Sequence, residues 1–126
     1  MIVDANAAVR RVIKQIFGNL ADVIHECATP VAAFADYRHF NPDVVVMDLG
    51  QPPCDGIWAT RQIIGLHPEG VVVSVTPYPD VTFRAPEQQA GARGFVLKDN
   101  LLDLRQWLQK SSDRMRCCGL RRHREV

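Results

Sequence analysis

Short apolar runs alternate with helical patterns along the whole chain. The runs are Met1-Ile2-Val3, Val44-Val45-Val46-Met47, Val71-Val72-Val73 continuing to Val75, and Phe95-Val96-Leu97, with a weaker one at Val23-Ile24. Each is rich in β-branched or aromatic residues and bounded by turn formers or charges. Non-alternating runs of this length suit strands covered on both faces, as in parallel sheets. Between them, Val9, Val12, Ile13, Ile16 and Phe17 follow the i, i+3, i+4, i+7 rule and predict a helix over 6–17, stopped at Gly18-Asn19. Thr29 as N-cap and Pro30 at the first helical position predict a second helix to about Phe40. Ile57, Thr60, Ile63 and Ile64 mark a third, closing before Pro68. Leu101, Leu104 and Leu108 mark the last, with Asp99 or Asn100 as its N-cap. Residues 79–91 read ambiguously, because Pro86 would remove a helical hydrogen bond there.

Strand-helix alternation through five strands with short connections implies right-handed βαβ units. The expected fold is α/β: a doubly wound parallel sheet with helices on both faces. Chemistry in such sheets sits at the carboxyl ends of the strands. Strand one ends in Asp4, strand three in Asp48, strand four runs into Thr76, and strand five ends in Lys98. Two carboxylates suit a hard cation such as Mg²⁺. A lysine and a hydroxyl suit the oxygens of a phosphoryl group. Together they predict a minimal phosphoryl-transfer site with Asp48 as acceptor. Asp and Asn also follow buried strands simply as turn formers and caps, so the weight lies on the four together.

The length of 126 residues predicts one domain with a short tail. Residues 110–126 hold six bases and two acids, whereas 1–109 hold nine bases and twelve acids, so a mildly acidic body carries a basic tail. That tail reads as a disordered terminus, a linker remnant, or a contact to acidic nucleic acid or lipid. Neither a basic-then-apolar leader nor a membrane-length apolar run is seen, and Cys27, Cys54, Cys117 and Cys118 show no CxxC spacing. No Cys/His metal spacing is present either, so a cytoplasmic protein with reduced thiols and no zinc site is expected. Adjacent Cys117 and Cys118 are poorly placed to bridge each other; exposed, they would link two chains on oxidation. Trp58 reads as a partner anchor or as packed against the adjoining loop. Trp107 flanks the core or lies on a homodimer face. Cys54, in the loop after Asp48, reads as a small loop residue or as a reactive thiol near the site, and Tyr78 is expected to rim the crevice.

Pro42-Asp43-Val44-Val45-Val46-Met47-Asp48, then Pro52 and Asp55-Gly56, resembles the core signature of the response-regulator receiver (CheY-like) domain. Ile2-Val3-Asp4, Val9-Arg10, Thr76, Gly91-Ala92 and Gly94-Phe95-Val96-Leu97-Lys98-Asp99 match at family-like spacing. The wording is closest to receivers that often carry a helix-turn-helix output domain. The resemblance covers residues 1–109 and implies a flavodoxin-like (βα)5 sheet of order 2-1-3-4-5. It implies a two-component phosphorelay, with phosphoryl transfer to Asp48 from a histidine kinase or phosphotransfer protein. It also implies Mg²⁺ held by Asp4, Asp48 and the Gly50 carbonyl, Lys98 paired to the phosphoryl group, and a Thr76–Phe95 switch. That switch would reshape a face for a downstream target or for an output domain missing here. The chain would assist its own phosphorylation and dephosphorylation at most, and is not read as a turnover enzyme.

Two departures matter. Ala5 replaces an acid that the family carries beside Asp4, which predicts weak Mg²⁺ binding, with Asn6 as a substitute oxygen donor. Pro77 supplies no N–H after Thr76. They favour an alternative, a phosphorylation-independent interaction module with the same fold. A flavodoxin-like enzyme or nucleotide-binding protein is a third reading. The segment after strand one, Asp4-Ala5-Asn6-Ala7-Ala8, lacks the glycine-rich phosphate loop it would need.

Overall fold

The computed structural model describes residues 1–49, 55–77 and 84–109. Five strands are described: β1 (Ile2–Val3), β2 (Glu26–Cys27), β3 (Val45–Asp48), β4 (Val72–Thr76) and β5 (Gly94–Leu97). The helices are α1 (Ala7–Phe17), α2 (Pro30–Phe40), α3 (Asp55–Leu66) and α4 (Arg84–Ala90), and a last helix, α5, described over 104–109. Short 3-10 segments follow α1 (Gly18–Leu20) and β5 (Lys98–Asp103). All strand pairs are parallel and the sheet order is β2-β1-β3-β4-β5, the doubly wound order expected.

The valine-rich runs form the central strands because both their faces are covered. Every residue of β4 is buried. Successive side chains point to opposite faces, and the core divides accordingly. Val3, Val45 and Met47 pack with Ala33, Tyr37, Ala59 and Ile63 of α2 and α3. Ile2, Val46, Val73, Val75 and Val96 pack with Ile13 and Phe17 of α1 and with Leu104 of α5.

Local chemistry sets the helix ends. Asn6 Oδ1 accepts the Ala8 and Val9 N–H groups at 2.9 and 3.4 Å, starting α1. Thr29 Oγ1 accepts the Ala32 N–H at 3.1 Å, with Pro30 at the first helical position of α2. Asn41, in the left-handed region at φ 44°, ends α2. At the start of α3, a Cβ on Gly56 would stand 2.8 Å from the Asp48 carbonyl oxygen and 2.7 Å from Leu49 Cδ2. Only glycine lets α3 approach the end of β3 this closely.

Three expectations are corrected. The second strand is Glu26–Cys27, not Val23-Ile24, and Val23 is 60% exposed. At the sheet edge, Cys27 turns into the core while Glu26 meets Arg10 and Lys14 of α1, so this strand shows no apolar run. Asp99 and Asn100 cap no α-helix: they lie inside the 3-10 segment, whose N-cap, Leu97, makes no side-chain hydrogen bond. Pro86 does not exclude a helix, because it is the third residue of α4. The first-turn N–H groups of a helix lack intrahelical partners, so its missing donor costs nothing there. The basic segment 110–126, with Cys117 and Cys118, lies outside the described residues.

Candidate functional site

The register of the sheet assembles the site. Val3 pairs with Met47, so Asp4 follows β1 beside Asp48 at the end of β3. Asp48 pairs with Val75, and Thr76 with Leu97, which puts Lys98 one residue beyond the end of β5. The long lysine side chain closes the row. Lys98 Nζ lies 3.1 Å from Asp48 Oδ1 and 3.2 Å from Asp4 Oδ2. Three residues read from separate strand ends thus meet in one cluster.

The cluster is largely shielded from water. Asp4 is 3% exposed, and the side chains of Asp48 and Lys98 are 11% and 24% exposed. Burial works against the Lys98 charge, but the hydrogen bond and attraction of Asp48, with the attraction of Asp4, outweigh it. The ammonium is held above its ordinary pKa. Asp4 Oδ1 accepts the Asn6 N–H at 2.8 Å, and the Asp4 carbonyl accepts Arg10 Nη1 at 2.6 Å. Asp4 Oδ2 is buried and, although within ion-pair distance of Lys98, receives no well-directed hydrogen bond. A buried carboxylate oxygen with unused lone pairs, facing a second carboxylate, has the chemistry of a hard-cation ligand. The residues present therefore fit Mg²⁺, with two carboxylates brought together among the described residues.

Ala5 is exposed on the bend before α1. Asn6, expected to offer an oxygen or a bridging water in place of the missing acid, directs its Oδ1 to two N–H groups at the start of α1. Thr76 is buried at the end of β4. Phe95, opposite Ser74 on β5, is half-buried and lines a hollow of about 230 Å³ with Gln88, Ala92, Arg93 and Gly94. Pro77 is exposed. Gly50, Cys54 and Tyr78 lie outside the described residues. Trp58 is 42% exposed and meets Phe34 edge-on at 5.3 Å between ring centroids. Trp107 is half-buried against the Gly94 backbone. The sequence reading missed Arg10 as a support of the Asp4 backbone. Its signal was its place one helical turn into α1, with the guanidinium directed back toward β1 by Glu26, 3.1 Å from Nε.

Residues 1–109 match the response regulator receiver domain. The chain belongs to that family. Receiver domains are the modules of two-component systems that histidine kinases phosphorylate and that connect to output domains, and they generally bind Mg²⁺ at an acidic pocket. Among relatives, the chain is 35% identical over 101 residues to YhcZ, a transcriptional regulatory protein of Bacillus subtilis, covering 79% of this chain and 47% of that one. It is 38% identical over 121 residues to a protein-glutamate methylesterase/protein-glutamine glutaminase of Rhodopseudomonas palustris, covering 92% of this chain and 32% of that one. The chain thus spans a third to a half of the length of these relatives. A crystal structure of a LuxR-family two-component response regulator from Aurantimonas superposes with a TM-score of 0.78 at 31% identity, over 87% of this chain and 81% of that one. A CheY-like receiver domain from Methanospirillum hungatei, at 22% identity, shares the fold with a TM-score of 0.76, over 90% of this chain and 94% of that one. Among the described residues no helix is long and apolar enough to cross a membrane.

Proposed function

We propose that this receiver accepts a phosphoryl group on Asp48 from a histidine kinase or phosphotransfer protein and passes the change to a downstream partner or output domain. The observation that carries the reading is the Lys98 ammonium, 3.1 Å from Asp48 and 3.2 Å from Asp4. Residues 1–109 are the receiver in this reading, and 110–126 are a basic tail or linker remnant.

An Asp48 carboxylate oxygen attacks the phosphorus of a phosphohistidine. The O–P bond forms as the P–N bond breaks, and the electron pair of that bond stays on the imidazole nitrogen, which takes up a proton. Asp4 and Asp48 would hold Mg²⁺, which when bound offsets the negative charge of the phosphoryl oxygens. Lys98 offers a phosphoryl oxygen the ammonium that Asp48 now holds. Charge neutralisation and positioning are what such transfers mostly require. The Thr76 hydroxyl then donates to another phosphoryl oxygen. Phe95 borders a hollow beside α4 and β5, so its ring has room to move when Thr76 does. A local charge event thereby biases a two-state surface. The receiver turns over no metabolite.

The test is intact-mass spectrometry of the full chain after incubation with acetyl phosphate and Mg²⁺, beside Asp48→Asn. One added phosphoryl group in the parent alone is expected. No gain in a folded parent at high Mg²⁺, or an equal gain in the variant, would overturn the reading.

A second reading has its own support. Ala5 adds no ligand beside Asp4, and Pro77 has no N–H to offer. These favour a receiver that binds its partner without a phosphorylation cycle, the outcome to which a negative labelling result would point.

A further inference from the structure

A second cluster of ligating side chains lies at the other edge of the sheet, on β2 and α2. His25 Nε2 stands 3.1 Å from Asp36 Oδ2, and Cys27 Sγ stands 3.9 Å from the same oxygen. The three donor atoms all lie within 4.8 Å of one another. Tetrahedral zinc with nitrogen, sulfur and oxygen ligands sets its donors about 3.4–3.6 Å apart, from bond lengths of roughly 2.0–2.3 Å. The cluster is close to that geometry without an ion.

The backbone explains the convergence. His25 and Cys27 are two apart on an extended segment, so they share a face, and Cys27 packs against Ala33 and Tyr37 of α2. Asp36 lies on α2 between those two. Glu26, between His25 and Cys27, turns the other way to Arg10 and Lys14. The His25 ring stacks on Phe40 at 3.7 Å between centroids, which restrains its tilt. Cys27 is buried, whereas the side chains of His25 and Asp36 are 26% and 43% exposed. An ion can therefore enter from solvent and keep a water.

We propose that His25, Cys27 and Asp36 form a Zn²⁺ site with water in the fourth position. The donor set decides the metal class. Thiolate and imidazole select a borderline ion such as Zn²⁺ over Mg²⁺. On binding, the Cys27 thiol proton goes to solvent as the S–Zn bond forms. His25 coordinates through Nε2 and keeps its proton on Nδ1. The ion would tie the two-residue edge strand to α2. It would also sit close behind Asp4, whose N–H donates to the Cys27 carbonyl at 3.1 Å.

The test is a Co²⁺ titration of the untagged full chain, followed by displacement with Zn²⁺. One Co²⁺ per chain with a thiolate-to-cobalt charge-transfer band is expected, and Zn²⁺ should abolish the band. Cys27→Ser should remove it, and His25→Gln and Asp36→Asn should each weaken binding at least tenfold while circular dichroism stays native. No band in the parent would overturn the site, as would a full band in Cys27→Ser, which would assign the thiolate to Cys54, Cys117 or Cys118. If Cys27→Ser does not fold, the two more exposed variants decide: parental affinity in folded His25→Gln or Asp36→Asn overturns the proposal.

Discussion

Lys98 Nζ stands 3.1 Å from Asp48 Oδ1, bridging the last residue of β3 to the residue after β5. The same ammonium serves Asp4, so removing it takes one shared cation from two shielded carboxylates. Lys98→Met should keep the fold and lower stability by about 1–3 kcal/mol, the range for losing hydrogen bonds to a charged group. Thermal denaturation of parent and variant at neutral pH reads the difference.

The pH dependence of that difference has a definite sign. The folded protein holds the Lys98 ammonium above its ordinary pKa. The stabilisation is therefore complete below the unfolded lysine pKa, about 10.4, and is lost as pH rises through the higher folded value. The gap between parent and Lys98→Met should stay constant through neutral pH and close in strong alkali. Burial and the neighbouring Asp36 push the Cys27 thiol up to about 11, which also costs stability in alkali. That loss is common to both proteins and cancels in the gap.

Ala5→Asp should tighten Mg²⁺ binding. Ala5 is exposed on the bend that follows Asp4, where a carboxylate adds a negative oxygen ligand without entering the core. A gain of roughly tenfold, about 1.4 kcal/mol, is expected by calorimetric titration. An unchanged affinity would mean that Asp4 and Asp48 set it alone.

Gly94→Ala should destabilise the link between β5 and α5. A Cβ at Gly94 would stand 2.1 Å from Trp107 Cζ2, so the indole must move. Overpacking of this kind costs about 1–3 kcal/mol. In a Trp107→Leu background the same substitution should be close to neutral. Equal losses in both backgrounds, by chemical denaturation, would show that the ring is not the obstacle.

The candidate site was legible because its residues end apolar runs. Asp4, Asp48, Thr76 and Lys98 each follow a stretch that announces a buried strand, and a parallel sheet gathers such ends at one side. Helix α2 was legible to the residue, since Thr29-Pro30 states both its cap and its first position. Strand β2 was not. It has two residues, one facing the core and one facing charged neighbours, and neither hydrophobic run nor alternation survives at that length. Misplacing it hid the His25–Cys27–Asp36 cluster, which exists only once His25 and Cys27 share a strand face opposite α2. The start of the last helix was not legible for a related reason. Leu101 and Leu104 satisfy helical spacing, but spacing alone does not distinguish the tighter 3-10 turn through Lys98–Asp103 from an α-helix capped at Asp99.

The seat of α3 on β3 also bears on which sequences this fold can reach. In a library randomised at single positions and selected for folded protein, Gly56 should return glycine alone, since any side chain begins inside the Asp48 carbonyl and Leu49. Gly65, nine residues further along the same helix, has no atom within 4 Å of an added Cβ and should tolerate nearly every residue. Helix α3 is therefore closed to variation at one end and open at the other. New binding surfaces on α3 can be acquired near Leu66 without disturbing Asp48.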